Sequence, residues 1–228
     1  MTRKALVYRG PAACHGCSEA LADLLRGSRW GFDVDYVGDD KALTAAKGTL
    51  TAAALYAQPG GGKSVKRAYR QTKGSTGTIR DYVRAGGRYL GICMGGYLAG
   101  HWRGFGLLPG DTDQFITSPG ADVTKKKDTL VEVDWQGRRH NMFFQDGPIF
   151  RVPPASQGVT VLARYASNRE IAAMIVPFGL GRVGVCGPHP EAPREWYEAH
   201  NLTAEHESSA RLGHDLIDAL MGDRDKPW

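Results

Sequence analysis

Cys93 lies in a glycine-rich turn whose composition is typical of an activated nucleophile. An apolar run from Tyr89 to Ile92 predicts a strand that delivers Cys93 into a turn flanked by Gly91 and Gly95. Small neighbours let the backbone take strained angles and let a substrate carbonyl come close. A helix is predicted to begin directly after the turn, and its positive end favours the nucleophilic thiolate. The amide of Met94 is then a predicted oxyanion donor.

Two other segments supply the groups that a thiol nucleophile needs. HPE, at 189–191, follows an apolar run and offers His189 as the base and Glu191 as the acid that orients it. PGGG, at 59–62, follows another apolar run, and its amides are candidates to complete an oxyanion hole. The alternative is that Cys93 is a small buried hydrophobe at a strand end.

The elements that must position these residues alternate between strand and helix patterns. Strands are predicted for the short apolar runs at 5–10, 32–38, 52–62 and 88–96, the last two of which end in glycine-rich turns. Helices are predicted for the amphipathic stretches at 18–25, with Ser18 as N-cap, 78–87 and 205–221. The stretch 41–50 predicts a helix or a turn. From about 113 to 165 the strands are linked by polar turns, and 171–191 predicts a hairpin. We therefore expect an α/β fold: a flavodoxin-like, mostly parallel sheet with helices on both faces, plus a short antiparallel section.

Composition and charge narrow the function classes. The chain has 228 residues, 42% of them hydrophobic and 23% charged, which is enough to bury a core. The net charge of +5 owes much to the stretches 63–73 and 125–127, but neither resembles a nucleic-acid motif, and 125–127 is predicted to be a solvated loop. We expect a small-molecule substrate, with a partner protein or a second copy as an open alternative, rather than nucleic acid. No apolar run predicts a membrane span, and ALVY is too short for a signal peptide, so a cytoplasmic location is expected.

Cys14 and Cys17 form a CHGC motif just after the first predicted strand. The cysteines of this chain are expected to be free thiols unless two of them meet in the fold. Three readings stay open for the pair: plain loop cysteines, a redox pair or second reactive thiol near Cys93, and a metal site. One CxxC does not supply the four ligands that zinc requires, so neither a metal nor a cofactor is expected.

These segments resemble a known group of proteins. GICMGG, the upstream PGGG and the downstream GVCGPHPE look like the class I glutamine amidotransferase-like superfamily. More narrowly, ALVYRGP, PGGG, IRDYVRAGGRYLGICMGGYLAG and FFQDGPIF are similar to the biotin–protein ligase N-terminal domain family. The resemblance extends from residue 4 to about 191.

The resemblance implies one flavodoxin-like domain over 1–228, with its nucleophile turn at the carboxyl edge of the sheet. It implies that Cys93 is the nucleophile, His189 the base and Glu191 the third member, with the amides of Gly61 and Met94 as the oxyanion hole. Gly60, Tyr97, Cys14 and Cys17 are accessory candidates.

The chain departs from the family pattern at three places. Glutaminases carry Gln four residues after the nucleophile, where this chain has Tyr97, so glutamine is not the expected substrate. No ligase catalytic domain is recognised, so biotin ligation is not expected. The RGPAACHGC loop lacks the Glu of the related peptidase and chaperone branch. Two hypotheses follow: a cysteine-dependent hydrolase of an amide-type C–N bond in a small polar substrate, or a binding or regulatory module without turnover.

Overall fold

The computed structural model describes residues 3–38, 47–203 and 206–222. One half of its sheet is parallel and follows the order β2-β1-β3-β4-β11. These strands are β1 (Arg3–Tyr8), β2 (Phe32–Val37), β3 (Leu55–Gln58), β4 (Arg88–Ile92) and β11 (Gly181–Cys186). Parallel neighbours require long crossovers, and the helical stretches between the strands provide them.

The other half of the sheet is antiparallel and continues from β11 through β10, β9, β6 and β7, while β8 pairs with β10 and β5 pairs with β8. Its strands are β5 (Asp111–Gln114), β6 (Thr129–Trp135), β7 (Arg138–Phe144), β8 (Pro148–Arg151), β9 (Thr160–Tyr165) and β10 (Ile171–Phe178). The predicted α/β class is confirmed. The antiparallel section is longer than expected, because the short runs around 111–114 and 148–151 also pair.

Seven helices cover the sheet within the described ranges. They are α1 (Cys17–Arg26), α2 (Lys47–Ala52), α3 (Val65–Thr72), α4 (Thr76–Arg84), α5 (Met94–Ala99), α6 (Arg194–Ala199) and α7 (His206–Met221). In the described part of the chain, none is long and apolar enough to cross a membrane.

Successive side chains of each central strand point to opposite faces of the sheet, so the core forms two layers, one on each face. Ala5 and Val7 of β1 pack into the cluster that contains residues of α1 and α7. Leu6 and Tyr8 point to the opposite side, into the cluster that contains residues of α4 and α5. Because successive strand residues face opposite sides, a strand with both faces buried reads as a continuous apolar run. The expected helices on both faces are confirmed.

One local prediction, the N-cap of the first helix, differs from the structure, and two other segments can be located in it. The first helix begins at Cys17 with Gly16, in the left-handed conformation, as its N-cap; the hydroxyl of Ser18 instead donates to the carbonyl of Tyr8 at 2.8 Å. Within the predicted helix or turn at 41–50, residues 41–46 lie outside the described residues, and α2 begins at Lys47. The basic stretch 63–73 forms α3, capped by the Ser64 side chain.

Candidate active site

Strand register brings the predicted site residues to one edge of the sheet. Gln58 pairs with Gly91 between β3 and β4, and Ile92 pairs with Cys186 between β4 and β11. All three strands are parallel, so the segments that follow them leave the sheet at the same carboxyl edge. These segments carry PGGG, the Cys93 turn and the His189 loop.

Cys93 has a strained backbone, with φ at 49° and ψ at −104°. Its amide donates to the carbonyl of Cys186 at 2.8 Å, which fixes the turn against β11. A Cβ on Gly95 would lie 2.8 Å from the carbonyl carbon of Gln58, so the sharp turn requires glycine there. The Cys93 side chain is buried, with 6% of the residue exposed. A non-glycine residue with positive φ costs on the order of 1–3 kcal/mol and is typical of functional turns.

His189 and Glu191 form a buried pair. Nδ1 of His189 lies 2.8 Å from Oε1 of Glu191, and the Glu191 side chain has no exposed surface. The backbone amide of His189 donates to the carbonyl of Phe143 at 2.9 Å, which holds the loop to β7. Oε2 of Glu191 has no hydrogen-bond partner among the described residues, so the imidazole is the principal partner of this carboxylate.

The imidazole of His189 also interacts with the side chain of Cys93. Burial of His189 opposes its charged form, but the nearby Glu191 carboxylate and Cys93 sulfur raise the pKa of His189 well above its ordinary 6.5. Since Nδ1 faces Glu191, Nε2 is the ring nitrogen that remains for another partner. The thiol additionally lies 3.9 Å from the carbonyl oxygen of Gln145. The structure therefore brings Cys93, His189 and Glu191 together as one connected group.

Two predicted backbone donors line the same cavity as Cys93. Gly61 forms an isolated antiparallel bridge with Ala13, in which the amide of Cys14 donates to the carbonyl of Gly60 at 3.1 Å. In that register the amide of Gly61 points away from its bridge partner. Met94 is the first residue of α5, a position whose amide has no acceptor within its helix. Both amides are thus available for a ligand of this cavity.

A cavity of about 460 Å³ opens in front of Cys93. Tyr97, four residues after Cys93 in the sequence, is buried and lines the cavity beside Cys93 and Met94. The outer rim includes the exposed residues Lys63 and Lys66.

A second cavity, of about 230 Å³, lies on the His189 side. Gly61 and Gln145 line both cavities, so the two adjoin. Cys14 and Cys17 form part of the wall of the second cavity and are joined by a disulfide, so this pair is the exception to the expectation of free thiols, which held unless two cysteines meet in the fold. The intervening turn at Gly16, with φ at 77°, brings the two sulfurs together. Cys93 and Cys186 are free and buried.

Sequence reasoning missed a polar cluster on the floor of the first cavity. Nζ of Lys126 lies 2.7 Å from Oδ2 of Asp146, and Nε2 of Gln114 donates to the same oxygen at 2.9 Å. Residues 125–127 are exposed, as predicted for a solvated loop, and Lys126 also forms an ion pair in this cluster. Asp146 lies in a turn, with φ at 59°, and lines the cavity. The Asp-Gly turn in FFQDGPIF was the signal available in the sequence.

No metal site is apparent among the residues that the structure describes. Over 3–38, 47–203 and 206–222, no group of three or more His, Cys, Asp or Glu side chains is arranged to hold an ion.

Comparison with known proteins finds a family model that matches the amino-terminal part of the chain. Residues 3–107 match the family model described as Biotin-protein ligase, N terminal. A biotin–protein ligase from Schizosaccharomyces pombe is 27% identical over 140 residues, which cover 51% of this chain and 22% of the relative. The chain thus spans about a fifth of the length of that relative.

Solved structures show the same fold at low sequence identity. A glutamine amidotransferase from Methylobacillus flagellatus matches with a TM-score of 0.58 and 16% identity, covering 100% of this chain and 99% of the other. A cytoplasmic protein from Salmonella typhimurium LT2 matches with a TM-score of 0.56 and 16% identity, covering 95% and 99%. These likenesses show fold alone. The resemblance predicted from the sequence is confirmed: residues 3–107 are similar to the biotin–protein ligase N-terminal family, and the chain shares the fold of a glutamine amidotransferase.

Proposed function

We propose that this protein is a cysteine-dependent hydrolase that cleaves an amide-type C–N bond in a small polar substrate. The observation that carries the proposal is the connected group of Cys93, His189 and Glu191, in which a buried carboxylate holds an imidazole beside a free thiol. A nucleophile, a base and an orienting acid on separate strand ends match the logic of catalytic triads on unrelated folds.

The reaction proceeds in two steps. The Cys93 thiolate attacks the carbonyl carbon, and the oxyanion is stabilised by the amides of Gly61 and Met94. The C–N bond then breaks as Nε2 of His189 gives its proton to the departing nitrogen, which leaves a thioester on Cys93. A water molecule adds to the thioester and passes a proton back to His189, releasing the acid and restoring the thiolate. Glu191 stays ionised and keeps the imidazole in position.

The charge around the first cavity favours a substrate whose acyl part is anionic. Lys63 and Lys66 are exposed at its rim and supply positive charge. Lys126 is paired with Asp146, and the carboxylate of Asp113, which also lines the cavity, lies 3.8 Å from Nη2 of Arg151. A short dicarboxylic acid monoamide would place its carbonyl at Cys93 and its free carboxylate toward the rim.

Labelling with iodoacetamide, read by mass spectrometry without reductant, tests the nucleophile directly. We expect one adduct, on Cys93, because Cys14 and Cys17 are bonded to each other and burial raises the pKa of Cys186. The substitution His189→Gln removes the base and should slow this labelling at least tenfold, on the order of the loss expected for removing an acid–base group. Labelling of Cys93 no faster than Cys186 would contradict the proposal.

Turnover of a panel of dicarboxylic acid monoamides, followed by release of the amine, tests the reaction. The variant Cys93→Ala should abolish hydrolysis while retaining the fold by circular dichroism. Hydrolysis unchanged in Cys93→Ala would rule out the mechanism. Binding of the amides without hydrolysis by the wild type would instead favour the alternative, a binding or regulatory module, for which the presence of Tyr97 in place of the glutaminase Gln is the supporting observation.

A further inference from the structure

The two cavities lie on different sides of the nucleophile and the base. Cys93 lines the larger cavity, whereas His189 lines the smaller one, and Gly61 and Gln145 form the boundary between them. A scissile bond placed between sulfur and imidazole would therefore have one part in each cavity. Because the imidazole protonates the leaving nitrogen, that nitrogen must lie on the His189 side.

Aromatic rings form one wall of the smaller cavity, whose lining also includes His15, Asp128, Gln145 and His200. The ring of Phe143 lies 5.4 Å from that of Trp196 and 6.0 Å from that of His189, and the rings of Trp196 and His189 are 5.7 Å apart, all as centroid distances. Ala199 and the Cys14–Cys17 disulfide add apolar wall. Aromatic walls of this kind stack on planar or cyclic apolar groups.

The smaller cavity contains a carboxylate in its lining, whereas the rim of the larger cavity carries two lysines. On the His189 side, the Asp128 carboxylate accepts a hydrogen bond from Nε2 of Gln145 at 2.7 Å and lies 3.4 Å from Nε2 of His200. On the Cys93 side, the rim carries Lys63 and Lys66. A carboxylate next to aromatic faces suits an amine, which is cationic once it has left and gained its proton.

We infer that the cavity formed by Phe143, Trp196, Ala199 and the Cys14–Cys17 disulfide binds the amine portion of the substrate, and that this amine carries a ring. The inference rests on the proposed function and deepens it, since it divides the substrate into an anionic acyl part and a cyclic amine part. The leaving group departs as a neutral amine after taking the His189 proton and then acquires a second proton from water. The thioester remains in the larger cavity.

Benzylamine, a product analogue, tests this subsite independently of turnover. We expect Cys93→Ala protein to bind benzylamine in calorimetric titrations and to bind methylamine much more weakly. The substitution Ala199→Leu adds bulk to the cavity wall from an exposed helix position and should weaken benzylamine binding at least tenfold. Glu198→Leu, at an exposed position of the same helix, is the matched control and should leave binding unchanged.

Substrate kinetics give the second measurement. Ala199→Leu in the wild-type background should lower kcat/KM for an N-benzyl monoamide about tenfold more than it lowers kcat/KM for the unsubstituted amide of the same acid. Benzylamine binding that is equal in Cys93→Ala and in Cys93→Ala with Ala199→Leu would overturn the inference, as would equal weakening by Glu198→Leu. Benzylamine binding that responds to Ala199→Leu without any Cys93-dependent hydrolysis would refute the proposed function and leave the amine subsite standing.

Discussion

Gly60 lies directly against the imidazole of His189. A Cβ at position 60 would stand 2.7 Å from Cε1 of His189 and 3.2 Å from Sγ of Cys17, both closer than side chains ordinarily pack. The glycine therefore sets how near the PGGG loop can approach the base and the disulfide. It also couples three segments that are far apart in sequence.

Gly60→Ala should damage activity more than stability. The added methyl group must displace the imidazole or the disulfide, and a displacement of about 1 Å at a catalytic group can reduce turnover on the order of a hundredfold. The measurement is kcat for hydrolysis, or the rate of Cys93 alkylation, together with the midpoint of thermal unfolding.

Gly62→Ala is the matched control for this substitution. A Cβ at position 62 meets no atom within 4 Å, although Gly62 lines the same cavity as Cys93. Activity should stay within about twofold of the wild type, since surface substitutions of this kind change little. Equal losses in both variants would show that the close approach at Gly60 has no special effect.

The His189–Glu191 pair predicts a particular pH dependence of stability. Burial of His189 is opposed by the charges of Glu191 and Cys93, and the net effect raises its pKa above the unfolded value of 6.5. A group whose pKa is raised on folding stabilises the protein fully below the unfolded pKa, and this contribution is lost as the pH rises through the folded pKa. The free energy of unfolding should therefore fall above pH 6.5, with a contribution approaching about 1.4 kcal/mol per pH unit from this one proton.

Glu191→Gln isolates this contribution. The amide keeps the shape of the side chain but removes the charge, so the slope above pH 6.5 should become shallower than in the wild type. Urea unfolding at a series of pH values measures it. Parallel curves for the two proteins would mean that the carboxylate does not control the protonation of His189.

The segments that carry the site were predictable because their signals are local. The apolar run before Cys93 and the glycines around it predict a strand and a sharp turn without any knowledge of the rest of the chain. His189 and Glu191 follow another apolar run, so their place at a strand end could also be predicted. The family resemblance then predicted that these strand ends lie along one edge of the sheet.

The aromatic cavity could not be predicted in the same way because it depends on long-range packing, and the disulfide could not because it depends on the conformation of one local turn. Phe143 lies on β7 and Trp196 on α6, and only the antiparallel section of the sheet brings them to His189. The pairing of Cys14 with Cys17 depends on the left-handed turn at Gly16, which a CxxC spacing does not reveal. The Lys126–Asp146 ion pair could not be predicted either, because it joins two polar loops that are separate in the sequence.

The Cys14–Cys17 disulfide should stabilise the fold modestly. It closes a loop of only a few residues, and loop-closure entropy then gives about 2 kcal/mol. A mild reductant should lower the unfolding midpoint of the wild type but leave that of Cys14→Ser with Cys17→Ser unchanged. An identical response of both proteins would place the sensitivity elsewhere, for example at Cys93 or Cys186.

The strained turn at Cys93 predicts a reversal in the usual ranking of alanine and glycine. At an ordinary position, glycine is less stable than alanine by about 0.5–1 kcal/mol, because it loses more conformational entropy on folding. Cys93 has φ at 49°, where a Cβ is strained and glycine is not, and the strain is on the order of 1–3 kcal/mol. Cys93→Gly should therefore unfold at higher urea concentration than Cys93→Ala, although both lack the thiol.

The control is Cys186, a residue of strand β11 without positive φ. At this position Cys186→Ala should be more stable than Cys186→Gly, which is the ordinary order. The same order at both positions would show that the nucleophile turn stores no backbone strain.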